Sequence, residues 1–484
     1  MIIAAMEKRV HIETWGCQMN LHQSEGMGGI LRAAGFESAN SIHDADVVLF
    51  NGCMVRQKAE DKLYGRIGAV MEEKRARPVL LGVGGCLGQV HGASLVRRFP
   101  AIDFVFGSRG HACLPTLIEE ATRGTEPPVV TEMPPVIEEV PFERANTVSA
   151  MVTISEGCSN YCSYCIVPHA RGPLKSRGAA LILDEVRDLV EAEYQEVLLL
   201  GQNVNAYGKE LPQADGFAGL LERVAEAGIP RVRFTTSHPR DMTRDVLEVM
   251  ARNDAVCNHL HLPCQSGSDW LLREMNRGYD RARYLEIVAS ARDLVEGINI
   301  TTDLIVGYPG ETEADFEATM SLIEDVRFGS IFVAAYSPRP LTRSAQVEDD
   351  VSAAIKGERL QRVLSRQREI ALEENERLIG REAEVLLEGS TRDGRAYGRT
   401  VDHRTIVIVA AEGRGTEGGA SGGVRGRAAG GRDEEGAFGG TTGRVAEGEG
   451  RDRSGCWRTV RLDAASASGL VGVSLVPERV KGAS

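Results

Sequence analysis

Three closely spaced cysteines are the part of this sequence with the clearest chemistry. Cys158, Cys162 and Cys165 have the spacing C-x3-C-x2-C and lie in the stretch GCSNYCSYC. Three thiolates are one fewer than the four that fully ligate an iron–sulfur cluster, so a 4Fe–4S cluster held here keeps one iron open for a small molecule. The alternative is a zinc site that the nearby His169 completes as a Cys3His set. The additional cysteines described next favour the iron–sulfur cluster.

Cys17, Cys53 and Cys86 form a second candidate set, although they are far apart in the sequence. Each follows a short apolar segment predicted to be a strand, in the stretches TWGCQMN, LFNGCMVR and GVGGCLGQ. The carboxyl ends of parallel strands meet at one edge of a sheet, where helix N-termini also favour anionic ligands. Glycines beside all three cysteines allow close approach of the backbone. We therefore predict a second thiolate cluster site here; the alternative is three buried structural cysteines.

The surrounding segments predict an α/β fold with two successive units. Residues 8–123 read as a doubly wound parallel sheet, 124–147 as a proline-rich acidic linker, and 148–378 as a partial (β/α)6 barrel. The predicted strands are 10–14, 46–50, 78–83 and 102–106 in the first unit and 150–154, 196–200, 232–236, 260–263, 298–306 and 331–335 in the second. A barrel of this kind places its chemistry in the loops that follow the carboxyl ends of its strands.

A change to short alternating strands marks a third region, residues 379–477, which predicts a small C-terminal β-barrel. Within it, residues 411–455 consist mainly of Gly, Arg, Glu, Ser and Thr, with few apolar residues. Such a segment buries too little apolar surface to offset the entropy of ordering, so we predict a disordered insertion.

The whole-chain composition excludes several classes of protein. No apolar run reaches the roughly 18 residues that span a bilayer, and the start of the sequence does not read as a signal peptide. Ten cysteines without a secretory signal indicate reduced, metal-binding thiols in the cytoplasm. The net charge of −13 argues against coating of nucleic acid but leaves room for a local basic site.

The two cysteine sets together resemble the methylthiotransferase family of radical S-adenosylmethionine (SAM) enzymes, over essentially the whole chain. The resemblance rests on the stretches TWGCQMN, NGCMVRQKAEDK, GCSNYCSYCIVPHARGPLKSR, LLLGQNVNAYG, RFTTSHP, HLPCQSGSD and DLIVGYPGET. It implies that the three dispersed cysteines hold an auxiliary 4Fe–4S cluster and that the closely spaced three hold a 4Fe–4S cluster that binds SAM. It also implies that the C-terminal barrel is a TRAM domain, which binds RNA.

The resemblance further implies an activity. In this family a radical formed from SAM removes hydrogen from C2 of an adenine, the auxiliary cluster delivers sulfur, and a second SAM supplies the methyl group. The stretches GQNVN, FTTSHP and VRQKAEDK favour N6-dimethylallyladenosine at position 37 of tRNA as the substrate. The alternatives are a ribosomal-protein aspartate or threonylcarbamoyladenosine methylthiotransferase and, from another class, a non-catalytic iron–sulfur RNA-binding protein.

Candidate binding residues follow from position. Polar residues at the predicted strand ends are candidates for holding SAM: Gln202, Asn203, Ser237, Gln265 and Ser266. Basic residues just after the closely spaced cysteines are candidates for contacting phosphates of a tRNA anticodon loop: Arg171, Lys175 and Arg177. We further expect a flavodoxin- or ferredoxin-type reductant as partner, no membrane association and a monomeric chain.

The sequence departs from the family pattern in three places. Leu341, in the stretch SPRPLTR, stands where relatives usually have glycine, and His169 stands where an aromatic residue is usual. The glycine-rich insertion in the C-terminal barrel is the third departure. None of the three removes a predicted cluster ligand, so these departures bear on how substrate is positioned.

Overall fold

The computed structural model describes residues 8–55, 57–124, 126–211, 215–409 and 455–475. The predicted insertion at 411–455 therefore lies, except for its last residue, outside the described residues. Within the described ranges, no helix is both long enough and apolar enough to pass through a bilayer.

The N-terminal unit is a six-stranded parallel sheet with helices on both faces. Its strands are β1 (Arg9–Trp15), β2 (Glu37–Ser38), β3 (Val47–Gly52), β4 (Leu80–Gly84), β5 (Phe104–Phe106) and β6 (Val129–Val130), in the order β2-β1-β3-β4-β5-β6. Its helices are α1 (Gln18–Ala33), α2 (Gln57–Ala76), α3 (Gly85–His91), α4 (Ala93–Arg98) and α5 (Leu114–Arg123). The predicted doubly wound sheet is confirmed.

Side-chain alternation along β3 explains why helices cover both faces. Val48 and Phe50 belong to one apolar cluster, which includes residues of α2 and α3. Val47 and Leu49 point the other way, into a cluster with residues of α1 and α5. Because successive side chains of a strand face opposite sides, a strand that is apolar at every position requires cover on both.

The second unit is a partial barrel of six parallel strands. Its strands are β7 (Ser149–Thr153), β10 (Glu196–Leu200), β11 (Arg231–Phe234), β12 (His259–His261), β13 (Asn299–Val306) and β14 (Ser330–Ala335). They form two three-stranded sheets, β11-β10-β7 and β12-β13-β14, connected through a parallel bridge between Val232 and Val256. All six strands contribute to one apolar cluster, so the predicted (β/α)6 arrangement is confirmed.

The remaining elements of this unit surround the strands. The helices are α6 (Val167–Arg171), α7 (Ala179–Glu191), α8 (Gly216–Ala225), α9 (Arg244–Arg252), α10 (Asp269–Glu274), α11 (Arg281–Leu294), α12 (Glu313–Val326) and α13 (Ala353–Glu376). Two short strands, β8 (Ser155–Glu156) and β9 (Lys175–Ser176), pair in antiparallel fashion beside β7. Short 3-10 turns in this unit occupy Val204–Ala206, Pro239–Asp241 and Ser344–Gln346, and two more, Ile42–Asp44 and His111–Cys113, lie in the N-terminal unit.

The stretch predicted as a linker packs closely against both units. Its residues Val129 and Val130 form the edge strand β6 of the N-terminal sheet. Further along, the Phe142 ring stacks on His22 of α1 with ring centroids 4.4 Å apart. Arg144 then donates to the carbonyl of Met151 in β7 at 2.8 Å. The extended segment therefore acts as a strap from the N-terminal sheet to the barrel.

The C-terminal unit is a closed five-stranded barrel, as the sequence predicted. Its strands are β15 (Glu382–Ser390), β16 (Ala396–Thr400), β17 (Thr405–Val409), β18 (Trp457–Ser466) and β19 (Gly469–Ser474), closed in the order β15-β16-β17-β19-β18. The inward-facing residues of these strands form a separate apolar cluster, to which Val385, Ile406 and Val460 belong.

This small barrel docks on the amino ends of the partial-barrel strands. The Trp457 indole donates to Gln195 Oε1 at 2.9 Å, and the Arg231 guanidinium lies over the indole ring, 4.5 Å from its centroid. Asn299, the first residue of β13, donates to the carbonyl of Asp402 at 2.8 Å. The C-terminal barrel and the loops at the carboxyl ends of the strands therefore lie at opposite ends of the partial barrel.

We predict that Trp457→Ala lowers the free energy of unfolding by removing contacts between the C-terminal barrel and the partial barrel. Trp457 is buried, and truncating a buried tryptophan to alanine removes about 3–5 kcal/mol of unfolding free energy. Chemical denaturation followed by fluorescence and circular dichroism measures the loss. The control is Val401→Ala, at a residue of the same barrel that is 37% exposed, which should stay within about 0.5 kcal/mol. Equal effects of the two changes would contradict the docking role of Trp457.

Candidate active site at the carboxyl ends of the strands

The closely spaced cysteines lie in a loop whose start is fixed by glycine. Gly157, directly after β8, has φ +76°, and a Cβ atom there would meet the carbonyl oxygen of Pro173 at 2.2 Å. Its N–H donates to the side chain of Gln202, which follows β10. The N–H of Cys158 then donates to the carbonyl of Gly172 at 3.1 Å. Only glycine fits this turn, so the backbone itself directs the following residues.

A buried arginine that the sequence motifs do not predict contacts this cysteine set. The Arg277 Nη1 donates to Cys162 Sγ at 3.4 Å, and its Nη2 donates to the carbonyl of Pro263 at 2.6 Å. The guanidinium also lies over the Tyr279 ring, 5.4 Å from its centroid. Arg277 follows α10 in the stretch MNRGY, which carries no recognisable spacing signal.

Burial makes free thiolates unfavourable at this loop. It raises the pKa of the Cys158 thiol and raises the pKa of the Cys165 thiol to about 12. Since cluster ligands must be thiolates, strong cationic compensation is required, and iron together with the Arg277 guanidinium would supply it. His169, the fourth ligand of the zinc alternative, is exposed on α6, whereas Cys158 and Cys162 are buried. The donor set fits a three-cysteine 4Fe–4S cluster.

A neutral histidine approaches the same sulfur. His238 Nε2 lies 4.0 Å from Cys162 Sγ, while its Nδ1 accepts the N–H of Arg240 at 3.2 Å. Burial, with the nearby Arg277 charge, lowers the pKa of His238, so the ring is neutral near pH 7. Because Nδ1 accepts, the proton is on Nε2 and points towards the sulfur. The stretch FTTSHP contains His238, but only Ser237 was predicted from it.

Two of the five residues predicted to hold SAM keep unused polar atoms. Asn203 donates through Nδ2 to Asp241 at 2.6 Å, but its buried Oδ1 has no partner within the described ranges. The same holds for the buried hydroxyl of Ser237. An unsatisfied buried polar group costs roughly 1–3 kcal/mol, so these two atoms suit a polar ligand such as SAM.

The other three predicted SAM residues make contacts within the protein. The Gln202 side chain accepts the N–H of Gly157, as described above. The Ser266 hydroxyl accepts the N–H of Ser268 at 3.1 Å and lies 3.3 Å from the Thr319 hydroxyl. Gln265 has φ +71° and exchanges backbone hydrogen bonds with β13. These contacts shape the loops around the cysteines.

The dispersed cysteines meet at one edge of the N-terminal sheet. Cys17 caps α1 after β1, Cys53 follows β3, and Cys86 lies in the first turn of α3 after β4. The strand order reverses between β1 and β3, and ligands of open α/β sheets gather at such a reversal. Gly16 permits the close approach, since a Cβ atom there would lie 2.9 Å from Cys53 Cβ.

Hydrogen bonds between polar side chains stabilise this edge of the N-terminal sheet. Asn20 Nδ2 donates to Asn51 Oδ1 at 3.1 Å, and Asn51 Nδ2 donates back to the carbonyl of Asn20 at 2.8 Å. The Cys17 thiol lies 3.3 Å from Asn20 Oδ1. Cys53 and Cys86 are buried, whereas Cys17 is exposed. The site is therefore rigid at its base and open on one side.

Arg171 joins the two cysteine sets and is not on the surface. It ends α6, which begins two residues after Cys165, and is only 2% exposed. Burial raises the pKa of the Cys86 thiol, and the adjacent Arg171 guanidinium opposes that rise. Its Nη2 donates to Gln23 at 3.1 Å, while Nη1 has no partner among the described residues.

Further contacts fix α6 against the N-terminal unit. Ile166 and Ala170 pack in the same apolar cluster as Cys86. The Ser108 hydroxyl donates to the carbonyl of Ala170 at 2.6 Å. The short helix α6 thus connects the loop of the closely spaced cysteines to the edge of the N-terminal sheet where the dispersed cysteines lie.

The structure places two of the three predicted RNA-contacting residues in the interior. Arg171 faces the thiols as described, and Arg177 is 6% exposed. Arg177 pairs with Glu139 at 2.5 Å and with Glu185 at 2.6 Å. Only Lys175 is partly exposed, in β9, and no ion pair of its ammonium occurs in the described part of the chain. The three basic residues were grouped because they are close together in the sequence. The thiols near Arg171 and one carboxylate that pairs with Arg177 are distant in the sequence, so the pairing could not be predicted.

Two family descriptions match the chain. Residues 9–107 match the uncharacterized protein family UPF0004, and residues 152–323 match the radical SAM superfamily. The radical SAM methyltransferase TsrM from Kitasatospora setae, with tryptophan substrate and a SAM analog bound, superposes with a TM-score of 0.53 at 16% identity. That match covers 80% of this chain and 79% of TsrM, and at such identity it shows the fold alone. Fold and site therefore define a radical SAM protein.

Similar curated proteins identify the family within the radical SAM proteins. The tRNA-2-methylthio-N6-dimethylallyladenosine synthase of Moorella thermoacetica is 45% identical over 409 residues, 83% of this chain and 92% of that protein. The protein of the same name from Carboxydothermus hydrogenoformans is 43% identical over 410 residues, with 83% and 93% covered. The chain therefore belongs to the radical SAM methylthiotransferase family, as the sequence motifs predicted.

We predict that Arg171→Met changes the properties of an iron–sulfur cluster at the dispersed cysteines. Removing a buried positive charge disfavours added electrons, so the midpoint potential of that cluster should fall by on the order of 100 mV. Anaerobic reconstitution followed by potentiometric electron paramagnetic resonance measures the shift. Lys175→Met is the control, since it removes a nearby charge that is partly exposed. Unchanged potentials in Arg171→Met would show that its charge does not act on the cluster.

Proposed function

We propose that this chain is a radical SAM tRNA methylthiotransferase that converts N6-dimethylallyladenosine at position 37 of tRNA into its 2-methylthio form. The observation that carries the proposal is the connection of the two cysteine sets through α6, from Cys165 to Arg171 beside Cys86. Two sites in such proximity can act on one substrate atom. The printed names of the relatives from Moorella and Carboxydothermus support the choice of substrate.

In this proposal each cysteine set holds one 4Fe–4S cluster. The closely spaced set, Cys158, Cys162 and Cys165, holds the cluster whose open iron binds SAM, and the dispersed set, Cys17, Cys53 and Cys86, holds the auxiliary cluster. Bound at these cysteines, the two clusters together with SAM would supply a radical that removes hydrogen from adenine C2 and the sulfur that replaces it. A second SAM supplies the methyl group.

The protein side chains bind and orient rather than transfer protons. Arg277 keeps a buried positive charge at Cys162, which offsets the negative charge of thiolate ligands. Neutral His238 directs its Nε2–H at the same sulfur. Asn203 and Ser237 offer their unsatisfied oxygens to the amino and hydroxyl groups of SAM. Adenine C2–H is too weakly acidic for any side-chain base, so positioning is the contribution required of the chain.

Substrate RNA must be attracted locally, since the chain as a whole has a net charge of −13. We propose Lys175 as a phosphate contact, because it is partly exposed next to the closely spaced cysteines. We also propose that a flavodoxin- or ferredoxin-type protein supplies electrons and that the chain works as a monomer in the cytoplasm, where tRNA is modified.

Nucleoside mass spectrometry tests the proposed substrate. Total tRNA from cells that lack this protein should accumulate N6-dimethylallyladenosine and lose its 2-methylthio derivative, because the proposed reaction converts the first into the second. Expression of the wild-type chain should restore the derivative, and expression of Cys17→Ala should not. An unchanged nucleoside profile would contradict the proposal and favour the ribosomal-protein alternative.

Single cysteine changes separate the two sites. Cys158→Ala should abolish formation of 5′-deoxyadenosine, because SAM cleavage needs the complete SAM-binding site. Cys17→Ala should retain SAM cleavage and lose methylthiolation, because only sulfur supply is affected. Cys113→Ala is the control, since this half-buried thiol contacts only the carbonyl of Gly110 among the hydrogen bonds of the described residues. Liquid chromatography of single-turnover reactions measures both 5′-deoxyadenosine and the methylthiolated nucleoside. Formation of 5′-deoxyadenosine by Cys158→Ala would refute the assignment of Cys158 to the SAM-binding site.

A further inference from the structure

The loop after the last barrel strand, residues 337–344, connects the surroundings of both cysteine sets; we call it the rim loop. On one side Arg339, which is buried, donates to Gln57 Oε1 at the start of α2 at 3.1 Å. It also lies 3.7 Å from Glu60 and within electrostatic range of Cys53. This side of the rim loop therefore rests on the segment that follows Cys53.

The other side of the rim loop rests on the closely spaced cysteines. The N–H of Ser344 donates to the carbonyl of Ser163 at 2.8 Å, between Cys162 and Cys165. Within the loop, the Thr342 hydroxyl donates to the carbonyl of Arg339 at 2.7 Å. The rim loop is thus held at both ends and by one internal hydrogen bond, with Leu341 between these contacts.

Leu341, at the tip of the rim loop, combines an unusual backbone conformation with high solvent exposure. Its φ is +66°, in the left-handed region that a leucine rarely adopts, and it is 61% exposed. Its neighbours Arg339 and Thr342 are 6% and 2% exposed. A single exposed leucine is ordinary, but here backbone strain and solvent exposure of an apolar side chain occur together. Neither stabilises the protein by itself.

Strained residues concentrate at this site. The non-glycine residues with positive φ in the described part of the chain are Tyr161, Glu193, Thr236, Gln265, Asn276, Arg327, Leu341 and His403. Tyr161 lies between two cluster cysteines, Asn276 donates to its carbonyl at 3.0 Å, and Thr236 and Gln265 follow barrel strands. Leu341 is the one aliphatic residue of that group. Strain that the surrounding structure maintains is characteristic of functional positions.

We propose that Leu341 contacts the substrate and supplies apolar surface to the N6-alkenyl group of the adenosine that enters between the two cysteine sets. The inference rests on the proposed function and adds a specificity residue to it. A branched five-carbon alkenyl group is the one strongly apolar part of an otherwise polar and anionic RNA loop. An exposed, rigidly held leucine between the two sites matches that group, whereas phosphates and ribose would require polar partners.

Two substitutions distinguish a substrate contact from a structural role. Leu341→Gly removes the side chain and relieves the strain, and Leu341→Asn keeps a side chain that tolerates positive φ but is polar. The control is Glu193→Gly, which relieves the same kind of strain at an exposed residue after α7, near the amino end of β10. None of the three changes should lower the melting temperature, because each new residue suits the backbone.

Binding of two synthetic anticodon stem-loop RNAs provides the readout, one carrying N6-dimethylallyladenosine and the other adenosine at the same position. Fluorescence anisotropy with the anaerobically reconstituted protein gives both Kd values. We expect the wild-type chain and Glu193→Gly to prefer the alkenylated RNA by about tenfold, the usual scale for an apolar group in a matching contact. Leu341→Gly and Leu341→Asn should reduce that preference to about twofold or less.

Two results would overturn the proposal: an unchanged preference in both Leu341 variants, or no preference in the wild-type chain. Turnover assays distinguish failure of the Leu341 contact from failure of the proposed enzymatic activity. If wild-type protein prefers the alkenylated RNA but forms no methylthio product, the activity is refuted while the contact stands. If product forms, KM for the RNA should rise in the Leu341 variants with little change in kcat, and 5′-deoxyadenosine formation without RNA should be unaffected.

Discussion

The arrangement of this molecule depends on one buried cation, Arg171, set among thiols. A guanidinium removed from water is costly unless negative charge or polar partners surround it. Gln23 accepts from one nitrogen. Burial by itself lowers the pKa of Arg171, but negative charge on Cys86 and Cys17, on the Glu156 carboxylate and on Cys53 raises it above its usual value. A thiolate cluster strengthens this compensation. Because Arg171 ends the helix that leaves Cys165, the same interaction that stabilises one cysteine site holds the other beside it.

The linker stretch and the C-terminal barrel contact the partial barrel at places other than the loop of the closely spaced cysteines. The strap around Phe142 crosses from the N-terminal sheet to the barrel along one side. The C-terminal barrel docks through Trp457 at the amino ends of the strands. A five-residue strand such as β10 spans roughly 17 Å, so the docked barrel and the loop after the carboxyl end of β10 lie on the order of that distance apart. An RNA that touches both must be large, as a folded anticodon arm is.

Sequence patterns predicted the parts of the site that local chemistry dictates. The alternation of strands and helices follows from short-range rules, and the predicted α/β fold is confirmed. The structure also has Cys17, Cys53 and Cys86 after the ends of strands, as their sequence neighbours indicate. Contacts between distant segments were not predicted. Arg177 is a candidate from the sequence for contacting tRNA phosphates, but in the structure it pairs with Glu139, 38 residues away, and with Glu185. Arg277 went unnoticed for the same reason, since nothing near it in the chain signals a sulfur contact.

Electron paramagnetic resonance of the reduced, anaerobically reconstituted chain tests the central claim most directly. Arg171 is six positions after Cys165, and the five-residue helix α6 that ends at Arg171 is about 7.5 Å long, so two clusters held by the two cysteine sets would lie close together. We expect a spectrum broadened by magnetic coupling between two clusters, which becomes the spectrum of one isolated cluster when either cysteine set is replaced by alanine. A wild-type spectrum equal to the sum of the two isolated spectra would contradict it.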